Sequence, residues 1–144
     1  MRVINKFVGP YRWLSNFWPC VVVMDGSTYP SIEAAYQAAK TLDQYHRLRF
    51  RCVTAREAKK IAKQLDLRTD WEKVKLAVMT ELVRSKFKDR TLAKHLKATW
   101  PALLVEENYW GDRFWGVCHG VGNNHLGRIL MKVREELIAL NRNE

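Results

Sequence analysis

Residues 21–40 read VVVMDGSTYPSIEAAYQAAK, and the class of fold turns on this stretch. The β-branched run Val21, Val22 and Val23 ends at Met24, the pair Asp25-Gly26 follows, and Ser27, Thr28 and Tyr29 resume an extended pattern. Asp-Gly accepts the positive φ values of a tight turn, so an antiparallel hairpin is expected here. Ser31 then offers a capping hydroxyl to a helix running through Lys40, a stretch with four alanines and neither Gly nor Pro.

Working outward, helices dominate. Thr54 and Glu57 have capping-box spacing, and Ala58, Ile61, Ala62 and Leu65 follow at i, i+3, i+4 and i+7. Thr69 and Glu72 repeat that signature ahead of Val74, Ala77, Val78, Leu82 and Phe87, whose spread around the wheel predicts a central, heavily buried helix. Asp89 or Thr91 starts a short helix through Lys97. The apolar run at 102–106 predicts a buried strand, and Leu126, Ile129, Leu130, Val133 and Leu137 predict a last helix opening near Asn123-Asn124. The expected fold is α+β, a single helix-dominated domain over 1–144 with a small β-sheet or hairpin region.

The chain has 144 residues, 47% hydrophobic and 28% charged, which is ordinary globular usage and excludes a disordered or low-complexity chain. It contains no apolar run of the roughly 20 residues that a membrane span needs and no apolar leader at its N-terminus, so a soluble cytoplasmic protein without a membrane partner is expected. Cys20, Cys52 and Cys118 stand far apart without a CxxC pair and read as buried free thiols. His46, His95, His119 and His125 lack metal-ligand spacing, so neither a metal nor another cofactor is expected. The net charge of +10 attracts phosphates without distinguishing a nucleic acid from a phosphorylated metabolite.

Four blocks carry candidate chemistry. On the helix from Ser31, Glu33, Tyr36, Gln37 and Lys40 fall within an arc of roughly 100°, a polar stripe opposite the alanines that is either a solvated face or a site. In residues 106–116, Glu106 and Asp112 alternate with aromatics and glycines, including Trp115 and Gly116. Two carboxylates beside a flat apolar wall suit chemistry at a sugar, where positive charge develops on the anomeric carbon. Gly120 to Asn124 precedes the last helix and is either an anion-binding turn or an ordinary capped one. The loop from Gly9 to Phe17 mixes turn formers with Arg12, Trp13 and Asn16.

In combination the blocks resemble the NADAR family, the YbiA-like N-glycosidases. The matching residues are Gly9-Pro10 and Leu14 to Phe17; Tyr29 to Glu33 with Gln37 and Lys40; Trp71, Met79 and Lys86-Phe87; Leu104 to Glu106 with Asp112, Trp115 and Gly116; and Gly122 to Asn124 with Leu126-Gly127 and Leu130-Met131. Ala34 and Cys118 depart from the family pattern and bear on the shape of the pocket.

The resemblance implies cleavage of an N-glycosidic bond to a phosphorylated ribose. The substrate is then either ADP-ribose on guanine of a nucleic acid, toward which the basic charge leans, or a phosphoribosylamino intermediate of the riboflavin pathway. Glu33 and Asp112 take the two carboxylate roles, in either order. Lys40 acts as a Schiff-base nucleophile, with a plain phosphate charge as its alternative. Trp13 and Trp115 wall the base. Arg12, Asn16, Asn123 and Asn124 hold sugar or phosphate, with Tyr36, Gln37, Glu106 and Gly116 completing the binding set. No obligate protein partner is expected, and a basic nucleic-acid-binding module without catalysis is the alternative of another class.

Overall fold

The computed structural model describes residues 2–142. In chain order the elements are β1 (Val3–Ile4), a 3-10 helix (Gly9–Leu14), β2 (Val22–Met24), β3 (Ser27–Tyr29), α1 (Ile32–Ala39), α2 (Gln44–Leu48), α3 (Ala55–Ala62), α4 (Trp71–Lys86), α5 (Arg90–Ala98), β4 (Leu103–Leu104), β5 (Glu107–Asn108), β6 (Val117–Cys118) and α6 (His125–Arg142). The class is α+β. The β-structure is three separate two-stranded pairs, with β1 and β4 parallel, β2 and β3 antiparallel, and β5 and β6 parallel.

The chain divides into two compact units. A terminal unit combines the residues up to Ser15 with those from Phe87 onward, and a middle unit comprises Asn16–Lys86.

In the middle unit the hairpin forms as its sequence predicts. Val22 pairs with Tyr29, and Asp25 and Gly26 both take positive φ, 50° and 79°, the pattern of a type I′ turn. Ser31 caps α1 through a 3.0 Å bond from the Ala34 N–H to its hydroxyl oxygen. The Glu33 N–H, another donor without a partner inside the helix, is satisfied by the carbonyl of Asn16 at 3.0 Å. At the other end Arg68 donates through its backbone N–H to Lys40 O at 2.8 Å and through its guanidinium to Ala39 O, while Asp70 holds the guanidinium at 2.6 Å. Both ends of α1 are thereby tied down. The Thr54–Glu57 capping box opens α3.

Two expectations are corrected here. Helix α4 starts at Trp71, with Asp70 O accepting from the Lys73 and Val74 N–H groups, and Thr69 stays exposed outside it. It is heavily buried only toward its C-terminal half, at Met79, Leu82, Val83 and Lys86. Ala77 is exposed and Val74 and Val78 are half-buried, because the helix presents only one face to the core until its last two turns. The short α2, capped by Asp43, and the 3-10 helix opened by Gly9-Pro10 have too few residues to show a period.

In the terminal unit Asp89 caps α5, and α5 and β4 both pack on α6. The strand expected at 102–106 shortens to Leu103–Leu104, bounded by Pro101 and by the turn in which Glu107 N donates to Val105 O at 3.1 Å. Arg134 reaches from α6 to Thr99 Oγ1 at 3.1 Å and Ala102 O at 2.8 Å, fixing the approach to that strand. The thiols are free, but only Cys118 is buried; Cys20 is half-buried and Cys52 exposed.

Candidate functional site

The candidate residues form two groups, one in each unit. The middle unit holds Asn16, Glu33, Tyr36, Gln37 and Lys40. Every residue of α1 is buried, Glu33 at 8% and Gln37 at 5% exposure, and Lys40 at its C-terminal cap is half-buried, so the polar stripe is not a solvated face. The alanines let neighbouring helices close in around it, α3 and α4 among them. Gln37 Nε2 donates to Glu33 Oε1 at 2.7 Å, which orients the carboxylate. The Lys40 ammonium lies 5.3 Å from the centre of the Tyr36 ring, and that ring packs on Trp71 at 5.2 Å. Asn16 Nδ2 donates to Met79 Sδ at 3.7 Å. The amide oxygens Asn16 Oδ1 and Gln37 Oε1 are buried with no protein donor. Buried acceptors in that state need a hydroxyl or a water to satisfy them.

Burial pushes Lys40 below the ordinary lysine range. The Glu33 carboxylate acts against that shift, and the neighbouring charges of Lys59 and Lys75 reinforce it. An amine so placed is a better nucleophile near neutrality than a solvated lysine. Sequence reasoning missed Lys59 and Lys75. Trp71, Lys75 and Met79 at i, i+4 and i+8 were the available signal for Lys75, a helical stripe that only its packing on α1 makes legible.

The terminal unit holds the acid and aromatic loop. Asn108 and Asp112 clamp each other, Nδ2 to Asp112 O at 2.8 Å and Asp112 N to Oδ1 at 3.0 Å. Asp112 Oδ1 then accepts from the N–H groups of Phe114 and Trp115 at 3.1 and 2.9 Å. These bonds wind residues 109–116 tightly enough to join two parallel strands, a connection that usually takes a dozen or more residues. Gly116 is required by close approach: a Cβ there would meet the Glu106 carbonyl, the Glu106 carboxylate and the Asn108 amide. Trp115 stands edge-on to Phe114 at 4.8 Å, and His125 packs on Phe114 at 4.5 Å with its ring tilted by 52°.

Other candidates in this unit serve the main chain. Both polar ends of Asn124 are engaged, Oδ1 by Glu106 N at 3.0 Å and Nδ2 with Leu104 O at 2.9 Å. The turn before α6, which the sequence leaves open as an anion-binding or an ordinary one, has its N–H groups committed: Asn123, Asn124, His125 and Leu126 donate to the carbonyls of Arg113, Gly116, Phe114 and Trp115. The segment before α6 thus docks on the aromatic loop through bonds that an anion would have to displace. The side chain of Asn123 is exposed, as is that of Arg12. Trp13 donates Nε1–H to Pro10 O at 3.0 Å and packs on His95 and Phe87 at 5.6 and 6.3 Å, which makes its indole a packed element of this unit.

The NADAR domain model matches residues 5–138. The chain belongs to the NADAR family. This NADAR chain is 42% identical over 139 residues to the N-glycosidase YbiA of Escherichia coli, covering 88% of this chain and 82% of that protein. It is 35% identical to an N-glycosidase of Nostoc punctiforme, covering 89% of this chain and 86% of the relative. A riboflavin biosynthesis protein of Vibrio vulnificus is 40% identical over 132 residues, where 88% of this chain matches 36% of that longer protein. The solved NMR structure of Escherichia coli YbiA superposes with a TM-score of 0.87 at 37% identity, covering 99% of this chain and 88% of that one.

Proposed function

We infer that this NADAR protein is an N-glycosidase, a hydrolase of N-glycosyl bonds, and that it removes ADP-ribose from guanine in nucleic acid. The observation that carries the reading is the buried polar stripe of α1. A carboxylate, an amide and an amine on successive turns of an alanine helix cost several kcal/mol to withdraw from water. Stability alone would favour apolar side chains there. Breaking an N-glycosidic bond builds positive charge at C1, which the Glu33 carboxylate stabilises, and the departing base takes up a proton. Asn16 Oδ1 and Gln37 Oε1 offer acceptors to ribose hydroxyls.

Lys40 supplies the covalent step. As the C1–O4′ bond breaks and O4′ takes up a proton, C1 and the base nitrogen form an iminium; the neutral Lys40 amine adds to C1, a proton passes from Nζ to the base nitrogen, the bond from C1 to the base breaks, and a protonated imine links C1 to Nζ. Water then adds to C1, the C–N bond breaks, and the free aldehyde and the amine are restored. Asp112 is proposed as the second carboxylate of the reaction, and Trp115 as the wall for the base.

The net charge of +10 favours a nucleic-acid substrate over a mononucleotide. The match to a riboflavin biosynthesis protein favours a second reading, a phosphoribosylamino pyrimidine as substrate. Base release from an ADP-ribosylated guanine oligonucleotide and from the pyrimidine tests both. Release from the oligonucleotide alone supports the first reading, and release from the pyrimidine alone the second. Salt-sensitive binding without release from either leaves a nucleic-acid-binding module.

A further inference from the structure

Trp71, Lys75 and Met79 share one face of α4; one end of that face touches the polar stripe at Tyr36 and the other touches Asn16. Trp71 packs on Tyr36 at 5.2 Å, and Met79 Sδ accepts from Asn16 at 3.7 Å. Lys75 lies one turn from each, on the helix that packs along α1. Its side chain is only 17% exposed, and its ammonium is held at 2.7 Å by Glu72, whose own side chain is 77% exposed and free to yield. From α3, which also packs on α1, Lys59 extends its ammonium to 5.8 Å from the centre of the Phe17 ring, the residue next to Asn16. Phe17 itself is half-exposed.

Helices α3 and α4, both packed on α1, therefore each bring one lysine beside the stripe, and the charges of both act on Lys40 at the end of α1. Gathering like charges is unfavourable, and the mutual repulsion adds to the burial that lowers Lys40. An anion relieves that cost, and one seated on the Lys59 and Lys75 ammonium groups leaves the Lys40 amine to act as a nucleophile.

We propose that Lys59 and Lys75 form a cradle for the phosphate carried by the substrate's ribose and thereby present C1 to Lys40. The identity of the ligand rests on the N-glycosidase reading; the cradle itself does not. Its phosphate is either the monoester of a phosphoribosyl group or the diphosphate of ADP-ribose, chemistries that inorganic phosphate and pyrophosphate mimic separately.

The test is calorimetric titration of the full chain with each anion at constant ionic strength. Wild type, Lys59→Met, Lys75→Met, the double variant and a control, Lys60→Met at an exposed lysine of α3, are compared. Wild type and the control should bind alike, and the double variant about tenfold or more weaker, as expected for losing charge-assisted bonds to phosphate. Tighter pyrophosphate than phosphate assigns the diphosphate, and the reverse the monoester. Equal affinity in wild type and the double variant, or no binding of either anion to wild type, overturns the cradle. In turnover, the double variant should raise KM far more than it lowers kcat. Base release with an unchanged KM also rejects the cradle while leaving the N-glycosidase standing. Anion binding lost in the double variant, with no base release by wild type from any ribosylated substrate, keeps the cradle and rejects the N-glycosidase.

Discussion

Glu33 stands in the first turn of α1 and Lys40 caps its C-terminus two turns later, and the two side chains have different tasks. Glu33→Gln keeps the volume and an oxygen for Gln37 Nε2 while removing the charge, so turnover should fall about a hundredfold or more with little change in melting temperature. Undiminished turnover would remove Glu33 from the chemistry. Asp112→Asn likewise keeps an acceptor for the Phe114 and Trp115 N–H groups. Turnover should drop while the melting temperature holds, whereas Asp112→Ala should lower both. If Asp112→Asn turns over like wild type, Asp112 only organises its loop.

Lys40 must be neutral to attack, so the rate should rise with pH through its folded pKa, which lies below the usual 10.5. The groups acting on it are Glu33, Lys59 and Lys75. Lys75→Met removes a like charge and should move the rising limb of the kcat profile to higher pH; an unmoved limb would show that Lys75 does not act on Lys40. At this scale the sequence named Glu33, Gln37 and Lys40 through their common arc. Their burial was not legible, because a wheel shows which residues share a face and not what covers it. Asn124 was ambiguous for a related reason: an amide before a helix reads the same whether it meets a ligand or the carbonyl of Leu104.

Among the elements, local chemistry was legible wherever it is self-contained. The Asp25-Gly26 turn, the Ser31 cap and the Thr54–Glu57 box each complete themselves within four residues. The β1–β4 and β5–β6 pairs depend on partners distant in sequence or on a wound loop, and two-residue strands show no alternation.

The loop before α6 yields a stability prediction: Gly116→Ala should cost about 1–3 kcal/mol, since its Cβ meets backbone and polar side chains with little room to give. A denaturant midpoint equal to wild type would contradict that packing. Helix α4 yields another. Lys86 is 1% exposed, and burial pushes its pKa down to about 8. Between that value and 10.5 the unfolded chain binds more protons at this site than the folded one, so its contribution to stability rises with pH. From pH 8 to 10 the gain should be about 2 kcal/mol and absent in Lys86→Met, as read from urea midpoints. Tyr29, whose pKa burial raises, opposes this only above pH 10. Parallel pH curves for the two proteins would refute the assignment.

For the whole molecule, family membership was legible because an ordered set of small blocks spans nearly the entire chain, although no single block is specific. The substrate was not, since +10 describes any phosphate-seeking surface. No helix among the described residues is long and apolar enough to cross a membrane. If a nucleic acid carries the ADP-ribose, kcat/KM on a modified oligonucleotide should fall steeply between about 50 and 200 mM salt through counterion release, and hardly at all on a modified dinucleotide. Equal slopes would favour the metabolite. The central claim is a covalent bond between the sugar and Lys40, and reductive trapping tests it most directly. Wild type turning over ADP-ribosylated guanine in the presence of borohydride should gain one ADP-ribosyl adduct in its intact mass, mapped to Lys40 and absent from Lys40→Arg. Steady base release by wild type with no adduct at Lys40, together with an active Lys40→Arg, would contradict it.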